Sequence, residues 1–147
     1  MIKPEWTTVF GLGEIMNDKE IKQFVRETLG CTCPDEVFQH VDCQSNVDAS
    51  GEILLDYEIN IGNRLLIFVV TIDQLESLSS LISQLVWHGT NKRNQENFNR
   101  FRLVLLTQKP TDLAEEAFAI FQSLGADEKV HLHVVAKDDF PIKNLCA

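Results

Sequence analysis

Apolar residues follow two spacings along the chain. Ile21, Phe24, Val25, Thr28 and Leu29 fall on one face at helical spacing. Asn17 or Asp18 caps that helix, Glu20 stands three after Asn17 as in a capping box, and Gly30 ends it. A short second helix is expected from Pro34, where Val37, Phe38 and Val41 give a buried side and Asp35 and Glu36 suit the helix start. Residues 42–52 are polar and turn-forming and read as a loop.

Period-two alternation then takes over. Ile53, Leu55, Tyr57, Ile59 and Ile61 alternate with Leu54, Asp56, Glu58 and Asn60, predicting a strand with one mostly polar face. Gly62-Asn63 is a hairpin turn pair. Residues 65–72 are apolar on both faces, as an interior strand requires. Leu75, Leu78, Leu81, Ile82, Leu85 and Val86 stripe a helix over 74–88, and the Asn-rich polar stretch after it either extends that helix or forms a loop. A strand is predicted over 101–107, interrupted only by Arg102. Next comes a helix opened by Pro110 and Asp112, with Glu115 completing a second capping box. Leu113, Ala117, Phe118, Phe121 and Leu124 are its stripe, and Gly125 ends it. Residues 130–136 form the last strand.

The order α-α-β-β-α-β-α-β predicts an α/β fold with a four-stranded mixed sheet. It comprises an antiparallel hairpin, 53–61 with 65–72, and two right-handed βα crossovers. Strands laid down in chain order put both crossover helices on one face. The N-terminal helices then cover the other, giving three layers, unless a homodimer supplies that cover. The chain reads as one domain over 1–147: an arm over 1–16, a helical segment with a cysteine junction over 17–41, the sheet core over 53–136, and a tail over 137–147 without regular structure.

Composition narrows the function classes. Hydrophobic residues at 44% and charged residues at 24% fit neither a disordered nor a membrane chain. No apolar run approaches the roughly 18 residues of a membrane span, and the N-terminus lacks a signal-peptide pattern, so the expected location is cytoplasmic. A net charge of −9 argues against general nucleic-acid binding. The charge is uneven. Residues 88–109 carry Lys92, Arg93, Arg100, Arg102 and Lys109 against Glu96 alone, so this segment is +4 and the remainder −13. Lys92, Arg93, Arg100 and Arg102 are a candidate patch for an anion or acidic partner, although solvated helix ends carry such runs too. Trp87 is either an interface aromatic or a core residue.

Candidate chemistry centres on three of the four cysteines. Cys31, Cys33, His40 and Cys43 have the spacing C-x-C-x6-H-x2-C. Three thiolates and an imidazole suit tetrahedral zinc, and the cysteines suit an iron–sulfur cluster, although a pair of C-x(2–4)-C knuckles is absent. Equally, Cys33 at the start of the second helix reads as a reactive thiol with Cys43 as its resolving partner. Small buried side chains at a helix junction, with no cofactor, are the simplest account. His131 and His133 share one face of the last strand and offer a second metal pair, or polar residues on an outer strand. Asp56 and Glu58 suggest a solvated edge rather than a metal-binding nuclease pair. Ligands of such sheets gather beyond the strand carboxyl ends, here Asp73, Gln74, Thr107, Gln108, Lys109, Asp138 and Asp139.

The sequence therefore points to a small cytoplasmic α/β protein whose cysteine junction binds metal or acts as a thiol site. An interaction or self-assembly module with structural cysteines is the alternative, and a small-ligand enzyme at the strand-end cleft ranks below it. No nucleotide-binding or hydrolase motif is present, which weighs against an enzyme.

Overall fold

Strongly apolar strands with helical connections organise a single five-stranded sheet in a computed structural model that describes residues 20–30, 32, 34–49, 53–72 and 77–140. The strands are β1 (Val41–Asp48), β2 (Leu54–Ile61), β3 (Leu65–Thr71), β4 (Arg100–Thr107) and β5 (Val130–Ala136), adjacent in chain order. β1, β2 and β3 pair antiparallel, whereas β3, β4 and β5 are parallel. The helices are α1 over 20–28, α2 (Leu78–Gln95) and α3 (Pro110–Ser123). The arm over 1–16, the Asn17/Asp18 cap, Cys31, Cys33, Asp73, Gln74, Leu75 and residues 141–147 lie outside the described residues.

The expected four strands are five. Residues assigned to a loop form β1, which pairs along β2 from Val41↔Ile61 to Asp48↔Leu54. Polar composition conceals a period-two pattern there. Val41, Cys43 and Val47 are half-buried, while Asp42, Gln44 and Asp48 are exposed. An edge strand needs only one weakly apolar face. The second helix shortens to one 3-10 turn, Asp35–Gln39, because the chain is already extended at His40. β2 is therefore interior, and Asp56 and Glu58 are not a solvated edge. Asp56 accepts a hydrogen bond from Thr71 Oγ1, and Glu58 pairs with Lys92 of α2.

The pattern of β2 contains a switch. Leu55 packs with the α2/α3 side, yet Ile59 and Ile61 pack on the other side. Residues separated by an even number share a face in a regular strand, so the strand must turn over between them. Asn46, opposite this point, has a φ of 54°, and β2–β3 pairing starts only at Tyr57.

Each face of the sheet has its own core. Leu66, Phe68, Val70, Leu103, Leu105 and Leu132 pack beneath α2 and α3, meeting Ile82, Leu85, Leu113 and Ala117. Ile59, Leu65, Ile67, Val69, Val104 and Leu106 form the other, covered by Ile21, Phe24, Val25 and Leu29 of α1 and its end. The same chain thus supplies the cover for which a homodimer was the alternative. Phe140 joins this second core, edge-on to Phe24 at 5.0 Å, so the expected unstructured tail begins with a 3-10 turn (Lys137–Asp139) and a buried anchor. Among the described residues, no helix is long and apolar enough to cross a membrane.

Helix ends follow the predicted punctuation in part. Gly30 and Gly125 adopt the positive φ that closes α1 and α3. α1 closes wide, in π-helical form over Phe24–Thr28, with Leu29 N donating to Phe24 O. α2 absorbs the polar stretch and runs to Gln95. α3 starts at Pro110, but no side chain caps it and the expected box does not form. Trp87 is 63% exposed, which removes its core reading.

Candidate functional site

One pocket on the α1 side of the sheet gathers three arginines. It measures about 360 Å³ and lies at the amino ends of β3 and β4. Its polar lining is Thr32, Arg64, Asn99, Arg100, Arg102 and His131, and Pro34, Val37, Ile61 and Leu65 provide apolar wall.

Backbone pairing assembles this set. Gly62 and Asn63 both take positive φ in the Ile61–Arg64 turn, closed by Arg64 N donating to Ile61 O. The Arg64 carbonyl then accepts from the N–H groups of both Asn99 and Arg100, at 2.8 and 3.0 Å. That clamp sets Arg64 beside Arg100, itself paired in register with Leu65. Two residues on, Arg102 lies opposite His131, and Val104 opposite His133. Alternation along β4 and β5 sends Arg102, His131 and His133 to the α1 face.

The remaining wall comes from the junction after α1. Lys22 and Arg26 hold the Asp35 carboxylate at 3.1 and 2.6 Å and lie over the Phe38 ring. Lys22 above all keeps that carboxyl below its ordinary pKa. Gly62 N donates to His40 O at 2.7 Å, fastening the segment to the hairpin turn. A Cβ at Gly62 would meet the Val37 carbonyl at 2.6 Å, so this close approach requires glycine.

Arg102 is the unusual member. It is only 7% exposed, and burial followed by the Arg100 charge lowers its pKa. Its Nη1 donates to Leu29 O and to His133 Nε2, at 2.9 and 2.8 Å, whereas its buried Nε has no acceptor among the described residues. The first contact places a cation at the carbonyl end of α1, a favourable dipole interaction. Among the described residues it leaves a buried guanidinium with a carbonyl and an imidazole but no carboxylate. Charges are seldom buried without an opposite charge, since the desolvation penalty is several kcal/mol. Among the described residues, Arg64 and Arg100 have no carboxylate partner either.

The predicted basic patch therefore divides. Lys92 is neutralised by Glu58 and Glu96, and Arg93 makes a two-pronged contact with Asp127 at 2.9 and 3.1 Å. The Arg93 hydrogen bond is the main cause of the lowered Asp127 pKa. Arg100 and Arg102 instead join Arg64, which sequence spacing did not connect to them.

His131 and His133 share the α1 face of β5. His133 Nε2 accepts from Arg102, and burial, then the Arg102 and His131 charges, push its pKa down to about 4. Burial and the Arg102 and Arg100 charges also lower that of His131, whose buried Nε2 has no partner. Of the cysteine set, His40 is exposed and Cys43 faces the core beside Phe38 and Val41. They are three apart in extended chain, so their side chains leave opposite faces. Cys43 is disulfide-bonded, with its partner outside the described residues. Among the described residues, no group of three or more His, Cys, Asp or Glu could hold a metal ion.

Of the strand-end residues, Asp73 and Gln74 lie outside the described residues. Thr107 is buried and accepts from Lys109 N, while Gln108, Lys109 and Asp138 are exposed. Asp139 lines a separate 610 Å³ depression with His133, Phe118 and Thr28. Comparison with protein-family models, curated proteins and solved structures finds no match to this chain.

Proposed function

We propose that this protein binds a small anion in the arginine pocket. The observation that carries the reading is Arg102: buried, charged, without a carboxylate among the described residues, and in one wall with Arg64 and Arg100. Guanidinium forks match oxyanions geometrically, and partial burial strengthens each contact over its value in water. Titration calorimetry with sulfate at fixed ionic strength should give saturable binding at one site per chain. The double variant Arg64→Gln/Arg100→Gln should weaken it at least about tenfold. Heats that never saturate would remove this reading.

The Cys43 disulfide supports a second, independent role, in which Cys43 is half of a thiol–disulfide site whose other half is Cys31, Cys33 or Cys146. A low-molecular-weight disulfide would be the oxidant. One protein thiolate attacks it and expels a thiolate, forming a mixed disulfide. The second protein thiolate displaces the other, two electrons pass to the small disulfide, and two protons leave the protein. An oxidised Cys43 is not a metal ligand, so this reading and the zinc reading exclude each other at that residue. Peptide mapping without reduction should recover Cys43 linked to one of Cys31, Cys33 and Cys146. Free, alkylatable Cys43 in air-equilibrated protein would refute the assignment.

A further inference from the structure

We infer that the anion held between Arg64, Arg100 and Arg102 is a phosphoryl dianion, an inference that rests on the anion-binding reading above. Charge is the first argument. Three guanidinium groups line the pocket, and among the described residues no acidic residue does. The α1 carbonyl end and the His133 imidazole engage Arg102 alone, leaving Arg64 and Arg100 without a carboxylate among the described residues. A carboxylate brings one negative charge, whereas a phosphate monoester brings about −1.5 to −2 at neutral pH.

Direction is the second argument. Arg64 enters from the β2–β3 turn, Arg100 and Arg102 from β4, and His131 from β5. Carboxylate oxygens are coplanar and suit one fork approaching in that plane. Phosphoryl oxygens are tetrahedral and accept from several directions at once, which fits donors arriving from three elements. Asn99 adds an uncharged amide to the same wall. His131, held in its neutral form by burial and by the neighbouring arginines, can add a hydrogen bond without adding charge.

Size and surroundings are the third. A cavity of 360 Å³ exceeds what a bare phosphoryl group fills, and Pro34 and Val37 give it an apolar side. It falls within the ~300–1,000 Å³ common for small-molecule sites. Outside the pocket the chain is strongly acidic, −9 overall, which repels an extended polyanion such as nucleic acid. The ligand class is a small phosphorylated molecule or phosphate itself.

Calorimetric titration of the full chain with phenyl phosphate, inorganic phosphate and benzoate, at one ionic strength and neutral pH, tests this. The tighter of the two phosphates should bind at least about tenfold more strongly than benzoate, and which one is tighter identifies ester or free phosphate as the source. Arg64→Gln and Arg100→Gln, at exposed and half-exposed side chains that the core does not need, should each shrink that preference. Benzoate binding as tightly as both phosphates would overturn the phosphoryl class and leave the anion pocket standing. No saturation with any of the three would overturn both.

Discussion

Gly89→Ala is expected to destabilise the protein by about 2 kcal/mol, opposite in sign to what helix propensity dictates. In an exposed helix interior, alanine is better than glycine by about 1 kcal/mol. Gly89 lies on the buried face of α2 with Ile82, Leu85 and Val86. A Cβ there would enter the ring of Phe101, its nearest atoms being Cζ, Cε2 and Cε1. Phe101 is fully buried and packs edge-on against Phe68 at 4.9 Å, so the ring has no free direction. Overpacking of this kind costs about 1–3 kcal/mol and occasionally more, which exceeds the gain in propensity. Urea denaturation should show a lower midpoint with an unchanged slope. Phe101→Leu in the Gly89→Ala background should recover part of the loss, because the two side chains compete for one space. A midpoint at or above that of the parent would refute the packing argument.

The sequence made the strongly periodic elements legible and hid those whose signal is divided. β2 to β5 and the stripes of α1, α2 and α3 were readable because each buries an apolar face. Gly30, Gly62-Asn63 and Gly125 marked turns because only certain residues tolerate positive φ. β1 was not readable. It exposes one face, and Asn46 breaks its extended conformation. The site was half legible. Arg102 stood out as a charge inside an apolar strand, but grouping it with Lys92 and Arg93 followed sequence proximity. Proximity cannot separate a helix end on one sheet face from a strand residue on the other. Nor could it foresee Arg64, brought in by two backbone bonds across a parallel pair. One signal was available: Arg102, His131 and His133 occupy interior-facing alternate positions on neighbouring strands, and three polar residues sharing a covered face mark a buried polar site.

Lowering the pH through the range from about 6.5 to 4 should remove about 3 kcal/mol of stability through His133 alone. Arg102 Nη1 is a donor, so the His133 Nε2 it meets must be an acceptor and the ring neutral. A proton at Nε2 would break that hydrogen bond and set two cations together on a half-buried face, with His131 and Arg102 both opposing it. Burial of the ring first, and then these charges, bring the folded pKa to about 4, against 6.5 for the free side chain. Between these values the unfolded chain holds a proton that the folded chain lacks, so stability rises with pH across the window and is complete above it. One such proton gives a slope of about 1.4 kcal/mol per pH unit. Urea denaturation at intervals from pH 4 to 7 should show it superimposed on the carboxylate contributions. His133→Gln offers Arg102 an amide oxygen in place of the imidazole and does not titrate, so the slope near pH 5 should fall by about that amount. An identical slope in parent and variant would mean that His133 takes up its proton in the fold as readily as outside it, and that neither burial nor Arg102 holds it neutral.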